Sequence, residues 1–282
     1  MKPRPNPPDP AAMDRARALD HAGIAVGDLV RAAAEWEALG FALTPLAVHT
    51  NAAGEPTGTG NRCAMLEQGY IELISVVDQA RPSQTLAGFI ARYEGAHILS
   101  LSVDDARQAQ IRLAKAGIDA PLTATARPTE GGEARFERVP VVSAVPRLQL
   151  IHHLTPELVW RQEDLAHPNR AATLDEVLIS AESPAETGAL LCRVAGRVLR
   201  PDPAGGYAIV LPQGTIRVLS GEAMAHMLPG GPKLPQPCIA GLVVSTADAN
   251  RFVVAQNIGR PIDGGRLGFA SGTAVLFRPG GG

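Results

Sequence analysis

Apolar residues recur along this chain with two alternating periods. Residues 19–26, Leu-Asp-His-Ala-Gly-Ile-Ala-Val, form a short run suited to a strand. From Asp28 the step changes, and Leu29, Ala32, Ala33, Trp36 and Leu39 fall three and four apart, on one face of a helix. Asp28 can cap that helix, and Gly40 stands where a left-handed stop is wanted. Strands are predicted over 41–48, 61–66 and 70–77, with a turn-rich loop at 51–60 and a short Glu67-Gln68-Gly69 turn. The unit reads β-α-β-β-β.

The pattern returns. A strand over 97–103 leads to a helix from Asp104, with Ala106, Ala109, Leu113 and Ala116 on one face and Gly117 as its stop. Strands follow near 121–127, 134–142 and 147–153. His21 lies seven residues before Asp28, and His97 seven before Asp104, so the two histidines take the same place in a repeat. A third copy opens at 174–181, with Ser183 and Pro184 as cap and first helical residue, a helix to Ala195, and strands near 197–200, 207–211 and 215–219. A fourth, shorter copy runs from 239–244 through a helix at Asp248 to strands near 265–269 and 273–277.

The predicted fold is α+β, with four tandem units in two pairs. Its parts are a disordered tail over 1–17, paired units over 18–156, a packed connection over 157–172, and a second, degenerate pair over 173–282. The chain has 282 residues, enough for two cores, and 45% hydrophobic with 19% charged residues describes a globular protein. A formal net charge of -2 and only 4% aromatic residues argue against a nucleic-acid partner. No run approaches the roughly 18 apolar residues of a membrane span. The proline-rich start lacks a signal-peptide core, and three scattered cysteines fit reduced thiols, so the expected location is the cytoplasm.

The pieces Leu19-Asp20-His21, Leu39-Gly40-Phe41, His49, Gly58-Thr59-Gly60-Asn61-Arg62, Tyr70-Ile71-Glu72-Leu73-Ile74 and His167-Pro168-Asn169 resemble the glyoxalase-like domain family of the vicinal oxygen chelate superfamily. The resemblance covers roughly residues 18–172. It implies U-shaped mixed sheets around a cavity, with ligands on the first and fourth strands of each unit. Carried onto this chain, it implies metal ligands at His21, His97 and Glu72, with Gln149 at the remaining fourth-strand position. Such a set suits zinc, nickel, manganese or iron. The implied activity is a metal-assisted lyase or isomerase acting on a small carbonyl or hydroxy-acid compound through an enolate. Alternatives are an iron(II) dioxygenase using the same two-His, one-Glu triad, and a non-catalytic small-molecule binding module of the resistance type.

Gln149 cannot take a proton as a glutamate would, which argues against lactoylglutathione chemistry. Glu72 is expected as a catalytic base and His49 as a second acid–base group. Asn61, Arg62, Gln149, His167 and Asn169 are the expected substrate contacts, with Arg62 clamping an anionic end. In the third unit Glu176 and Arg217 stand where His21 and Glu72 stand in the first, so a structural ion pair is expected there, with the functional pocket in the N-terminal half. The units can pair within one chain or across a homodimer.

Overall fold

The computed structural model describes residues 13–51, 54–129, 131–142, 144–246 and 259–280. Strand β1 (Ala18–Ala25) leads to helix α1 (Leu29–Ala38), then β2 (Ala47–Thr50), β3 (Pro56–Met65) and β4 (Tyr70–Val76). Helix α2 (Gln84–Arg92) links this unit to β5 (Gly95–Ser102), α3 (Ala106–Lys115), β6 (Thr123–Thr129), β7 (Gly132–Val141) and β8 (Arg147–His153). Two single turns of 3₁₀ helix, Pro156–Leu158 and Gln162–Asp164, precede the second half. There β9 (Ala171–Ser180) and α4 (Pro184–Ala195) are followed by β10 (Leu199–Pro201), β11 (Tyr207–Val210) and β12 (Thr215–Leu219). Helix α5 (Gly221–Met227), β13 (Cys238–Thr246), β14 (Arg260–Ile262), β15 (Gly265–Ala270) and β16 (Thr273–Pro279) complete the described elements.

The strands form two eight-stranded mixed sheets of matching order, β2-β3-β4-β1-β5-β8-β7-β6 and β10-β11-β12-β9-β13-β16-β15-β14. In each, first and fourth strands pair in parallel, as β1 with β4 and β5 with β8, and two units meet where β1 runs antiparallel to β5. The α+β architecture of paired βαβββ units read from the sequence is therefore the observed one.

Local signals explain the elements. Asp28 accepts from the amides of Val30 and Arg31, and α1 buries Ala32, Ala33 and Trp36. In α3 the buried face is Ala106, Ala109 and Leu113. On the first sheet the alternation is clean, with Ala22, Ile24, Ile71, Leu73, Leu99, Leu148 and Leu150 all in the main core cluster. That core continues into Leu174, Val177, Ile179, Leu242 and Val244 of the second sheet, so the two sheets share it. The residues between these on β1, β4 and β8 are His21, Tyr70, Glu72, Arg147 and Gln149, which face a cavity instead.

Several expectations shift. Residues 41–46 form no strand, and β2 begins only at Ala47. The glycines of 58–60, expected in a loop, lie inside β3, which starts at Pro56. At Gly58, φ is +82° and a Cβ would lie 2.0 Å from the Arg81 carbonyl oxygen, so this strand admits no side chain there. Helices α2 and α5 were not foreseen, although Leu86, Phe89, Ile90 and Tyr93 fall three and four apart along and just beyond α2. Residues 13–17, assigned to the tail, are packed: Ala16 is fully buried, its amide donates to the Ala195 carbonyl at 2.9 Å, and Asp14 pairs with Arg112 at 3.4 Å. The tail's first twelve residues and the helix expected at Asp248 lie outside the described residues. The third-unit ion pair is present, with Arg217 3.3 Å from Glu176 and 2.6 Å from Asp202.

Candidate functional site

A cavity of about 310 Å³ lies on the first sheet, walled by β1, β3, β4, β5 and β6–β8 and covered on one side by α2. Its size suits a small molecule. Five residues named from the sequence line it: His21, His49, Asn61, Glu72 and Gln149.

Glu72, on β4, stands in the cavity wall. Its Oε1 accepts from Asn61 Nδ2 at 2.5 Å, and its Oε2 lies 4.0 Å from His21 Nε2. Burial raises the Glu72 pKa, but the neighbouring His21 and His49 and the Asn61 hydrogen bond outweigh it, leaving the group below the usual carboxylate range and ionised at neutral pH. His49 lies with its Nδ1 2.9 Å from Thr59 Oγ1. Burial lowers its pKa, Glu72 pulls it back up, and Arg127 and Arg138 push it down, with a net lowering that keeps the ring neutral at pH 7.

His21 is held on three sides. Its ring stacks on Tyr70 at 4.4 Å between centroids. Asp20 Oδ1 lies 2.7 Å from Nδ1, and Asp20 Oδ2 lies 2.9 Å from His153 Nε2. Burial works to raise the Asp20 pKa, but His153 and His21 bring it down to about 2, so the carboxylate can only accept. Each histidine therefore donates to Asp20. His21 Nε2 lies 2.8 Å from the Ser100 hydroxyl, which can donate to it when only Nδ1 carries a proton. Gln149 Nε2 donates in turn to Ser100 Oγ at 2.6 Å.

Part of the cavity wall is cationic. Arg127 on β6, Arg138 on β7 and Arg147 on β8 all line it. Arg127 sits over the Phe136 ring at 5.6 Å, and Arg138 Nε donates to Thr125 Oγ1 at 3.0 Å.

Four expected site residues lie elsewhere. His97 is sandwiched between Phe89 and Tyr93, with centroids 4.7 and 3.9 Å away, and its Nε2 donates to the Tyr93 carbonyl at 2.8 Å. The error is one of register. Helix α3 is capped by Asp105, not Asp104, and seven residues before Asp105 is Ile98. The strand pairing agrees: His21 opposes Tyr70 as Ile98 opposes Arg147, and Gly23 opposes Glu72 as Ser100 opposes Gln149. Ile98 thus takes the place matching His21, and a slip of one residue turns a side chain to the other face.

Arg62 does not reach the cavity either. It donates to the carbonyls of Thr44 (2.9 Å) and Leu43 (3.4 Å) and pairs with Glu37 at 3.1 Å. His167 bridges two chain segments, accepting from the Ala42 amide at 3.0 Å and donating to the Met65 carbonyl at 2.7 Å. Asn169 donates to the Leu39 carbonyl at 2.9 Å and accepts from the Ala171 amide at 2.9 Å. These last two fasten the segment between the two sheets to the end of α1.

The donor set for a metal is correspondingly incomplete. His21 and Glu72 remain adjacent, but Ile98 and Gln149 occupy the other two inward positions. Among the described residues no group of three or more His, Cys, Asp or Glu side chains could hold a metal ion. The two-histidine, one-glutamate set therefore does not assemble.

Sequence reasoning missed Ser100 and the three arginines. Arg147 was legible, since it alternates with Gln149 and Ile151 along β8, all three lining the cavity. Arg127 and Arg138 carried no comparable signal, because their strands join the cavity only through sheet curvature.

The paired βαβββ fold is that of the vicinal oxygen chelate superfamily. A glyoxalase-like domain family matches residues 19–195, more than half the chain, and the chain belongs to that family. No curated protein matches. A hypothetical protein from Staphylococcus aureus is similar in structure, with a TM-score of 0.68 and 12% identity over 93% of this chain and 99% of its own. A mutant 4-hydroxymandelate synthase from Streptomyces coelicolor gives 0.61 at 14% identity over 95% of each chain. Homoprotocatechuate 2,3-dioxygenase from Arthrobacter globiformis gives 0.52 at 16% identity, covering 98% of this chain and 83% of its own. At such identities these likenesses establish the fold alone. No described helix is long and apolar enough to cross a membrane.

Proposed function

We propose that this protein is a lyase or isomerase acting on a small anionic carbonyl or hydroxy-acid compound, with Glu72 as the proton acceptor. The observation that carries this reading is the polarity of the cavity. One ionised carboxylate and three guanidinium groups line the same small cavity, and Arg127 is close enough to help hold the Glu72 pKa down. A substrate anion held by the arginines would present its adjacent carbon toward Glu72.

In this reading Glu72 Oε2 takes a proton from the carbon next to the carbonyl. The C–H electron pair moves to the carbonyl oxygen as an enolate, whose charge the guanidinium groups stabilise. Asn61 holds Oε1 and so aims Oε2. Glu72, now neutral, returns the proton to the same or a neighbouring carbon, closing an isomerisation with no net proton change. His49, neutral and beside Glu72, is the group suited to a second proton transfer.

The test is hydrogen exchange. Incubating small 2-oxo acids with the protein in deuterated water should wash deuterium into the adjacent carbon, read by proton NMR. Glu72→Gln should slow that exchange by about a hundredfold or more, the usual size of a general-base contribution. Exchange at the wild-type rate in Glu72→Gln would refute the assignment.

A second reading, a binding module without turnover, is favoured by Ile98 and Gln149 at two of the four inward positions. It calls for tight binding of a small anion with no exchange in any variant.

A further inference from the structure

We propose that the arginine-lined wall of the cavity, on β6, β7 and β8, is a subsite for a doubly charged anionic group, either a pair of carboxylates or one phosphoryl group. The inference rests on the reading above only in taking this cavity as the ligand site, and it narrows the substrate class.

Three neighbouring antiparallel strands each contribute one guanidinium to one wall. Arg127 and Arg138 come from the β6–β7 hairpin, and Arg147 comes from β8, which pairs with β7. Their internal partners are few. Arg138 uses only Nε, on Thr125. Arg127 has the Phe136 ring beneath it and no hydrogen bond to a described residue. Arg147 has neither a hydrogen bond nor an ion pair to a described residue, although it is partly buried on the wall of the cavity.

The one carboxylate among the lining residues cannot balance three cations. Glu72 already engages Asn61 and stands beside His21. Arg138 lies near enough that its charge, after burial, holds the Arg147 pKa below the ordinary arginine value. Two like charges drawn together with their donors unused form an arrangement that is costly when empty and relieved by an anion. A single carboxylate engages one guanidinium fork and leaves the second uncompensated. A dicarboxylate or a phosphoryl group presents enough oxygens and charge for both.

Calorimetric titration of the full chain with acetate, malonate and inorganic phosphate at pH 7 tests this. Malonate, phosphate or both should bind at least about tenfold more tightly than acetate, the size expected for one added charge-assisted contact. Arg147→Met and Arg138→Met should each remove that preference. Arg200→Met, which deletes an exposed arginine of β10 and changes net charge equally, should keep it. If Arg147→Met does not fold, Arg147→Lys retains the charge without the planar fork and should still weaken dianion binding several-fold.

Equal affinity for acetate and malonate in the wild type, with phosphate no tighter, would overturn the proposal. So would wild-type malonate and phosphate binding in both arginine variants. The phosphate and malonate arms separate the two sources of double charge. A dianion preference that vanishes in Arg147→Met, together with no hydrogen exchange in any 2-oxo acid, would leave the subsite standing and refute the reaction.

Discussion

Asp20 offers the sharpest quantitative test of the site, because one buried carboxylate orders both His21 and His153. It is 2% exposed and accepts from His21 Nδ1 at 2.7 Å and His153 Nε2 at 2.9 Å. Its pKa falls from 3.8 to about 2, because the two histidines outweigh the effect of burial. A depressed carboxylate pKa stabilises the folded state above the unfolded pKa, and the contribution is lost as pH falls through the folded value. At about 1.4 kcal/mol per pKa unit, the shift corresponds to about 2 kcal/mol, fully present at pH 6–7 and removed between roughly pH 4 and pH 2. Asp20→Asn keeps the shape but has only one acceptor oxygen, so one histidine must meet an amide N–H group. The variant should therefore lose about 2 kcal/mol at pH 7, and its deficit should shrink between roughly pH 4 and pH 2, as the carboxylate of the unfolded wild-type chain takes up its proton before the folded one does. Urea unfolding followed by circular dichroism across that range reads both effects. A deficit below about 0.5 kcal/mol at pH 7, within the scatter of ordinary surface changes, would refute the argument.

Three further outcomes follow from named contacts. His97→Ala removes one imidazole with its two stacking contacts and its hydrogen bond, so thermal denaturation should show a loss of about 1–3 kcal/mol while malonate affinity in the cavity stays unchanged. A large loss of cavity binding in a folded His97→Ala protein would restore that histidine to the site. Arg217→Ala strands the buried Asp202 and leaves Glu176 with Arg278, 3.3 Å away, so it should cost about 3 kcal/mol without altering ligand binding in the first sheet; unchanged stability would show the Arg217–Asp202 pair to be dispensable. The Cys63 thiol is buried, and burial drives its pKa far above the ordinary thiol value, so a disulfide reagent should modify it only on unfolding; rapid labelling of Cys63 in the native protein would contradict that placement.

The sequence by itself determined the repeating βαβββ unit, because helix periodicity, capping aspartates and stopping glycines are local signals. Ala32, Ala33 and Trp36 had to face the core wherever the helix went. It also determined His21 and Glu72, since alternation on short strands beside small or apolar neighbours marks which face they share. It placed the ion pair of Glu176 and Arg217, because their positions in the third unit follow from the repeat alone.

What only the tertiary structure decided was register and convergence. Asp104 and Asp105 are both plausible caps in a string of letters, and the choice between them exchanges His97 for Ile98 in the cavity. Arg62 and His167 have the chemistry of a site, but the packed chain offered them backbone carbonyls nearer than any ligand. Arg127, Arg138 and Arg147 belong to three strands whose common wall exists only after the sheet has curved and paired. Local propensity is written residue by residue, whereas a cavity is a relation among strands distant in the chain.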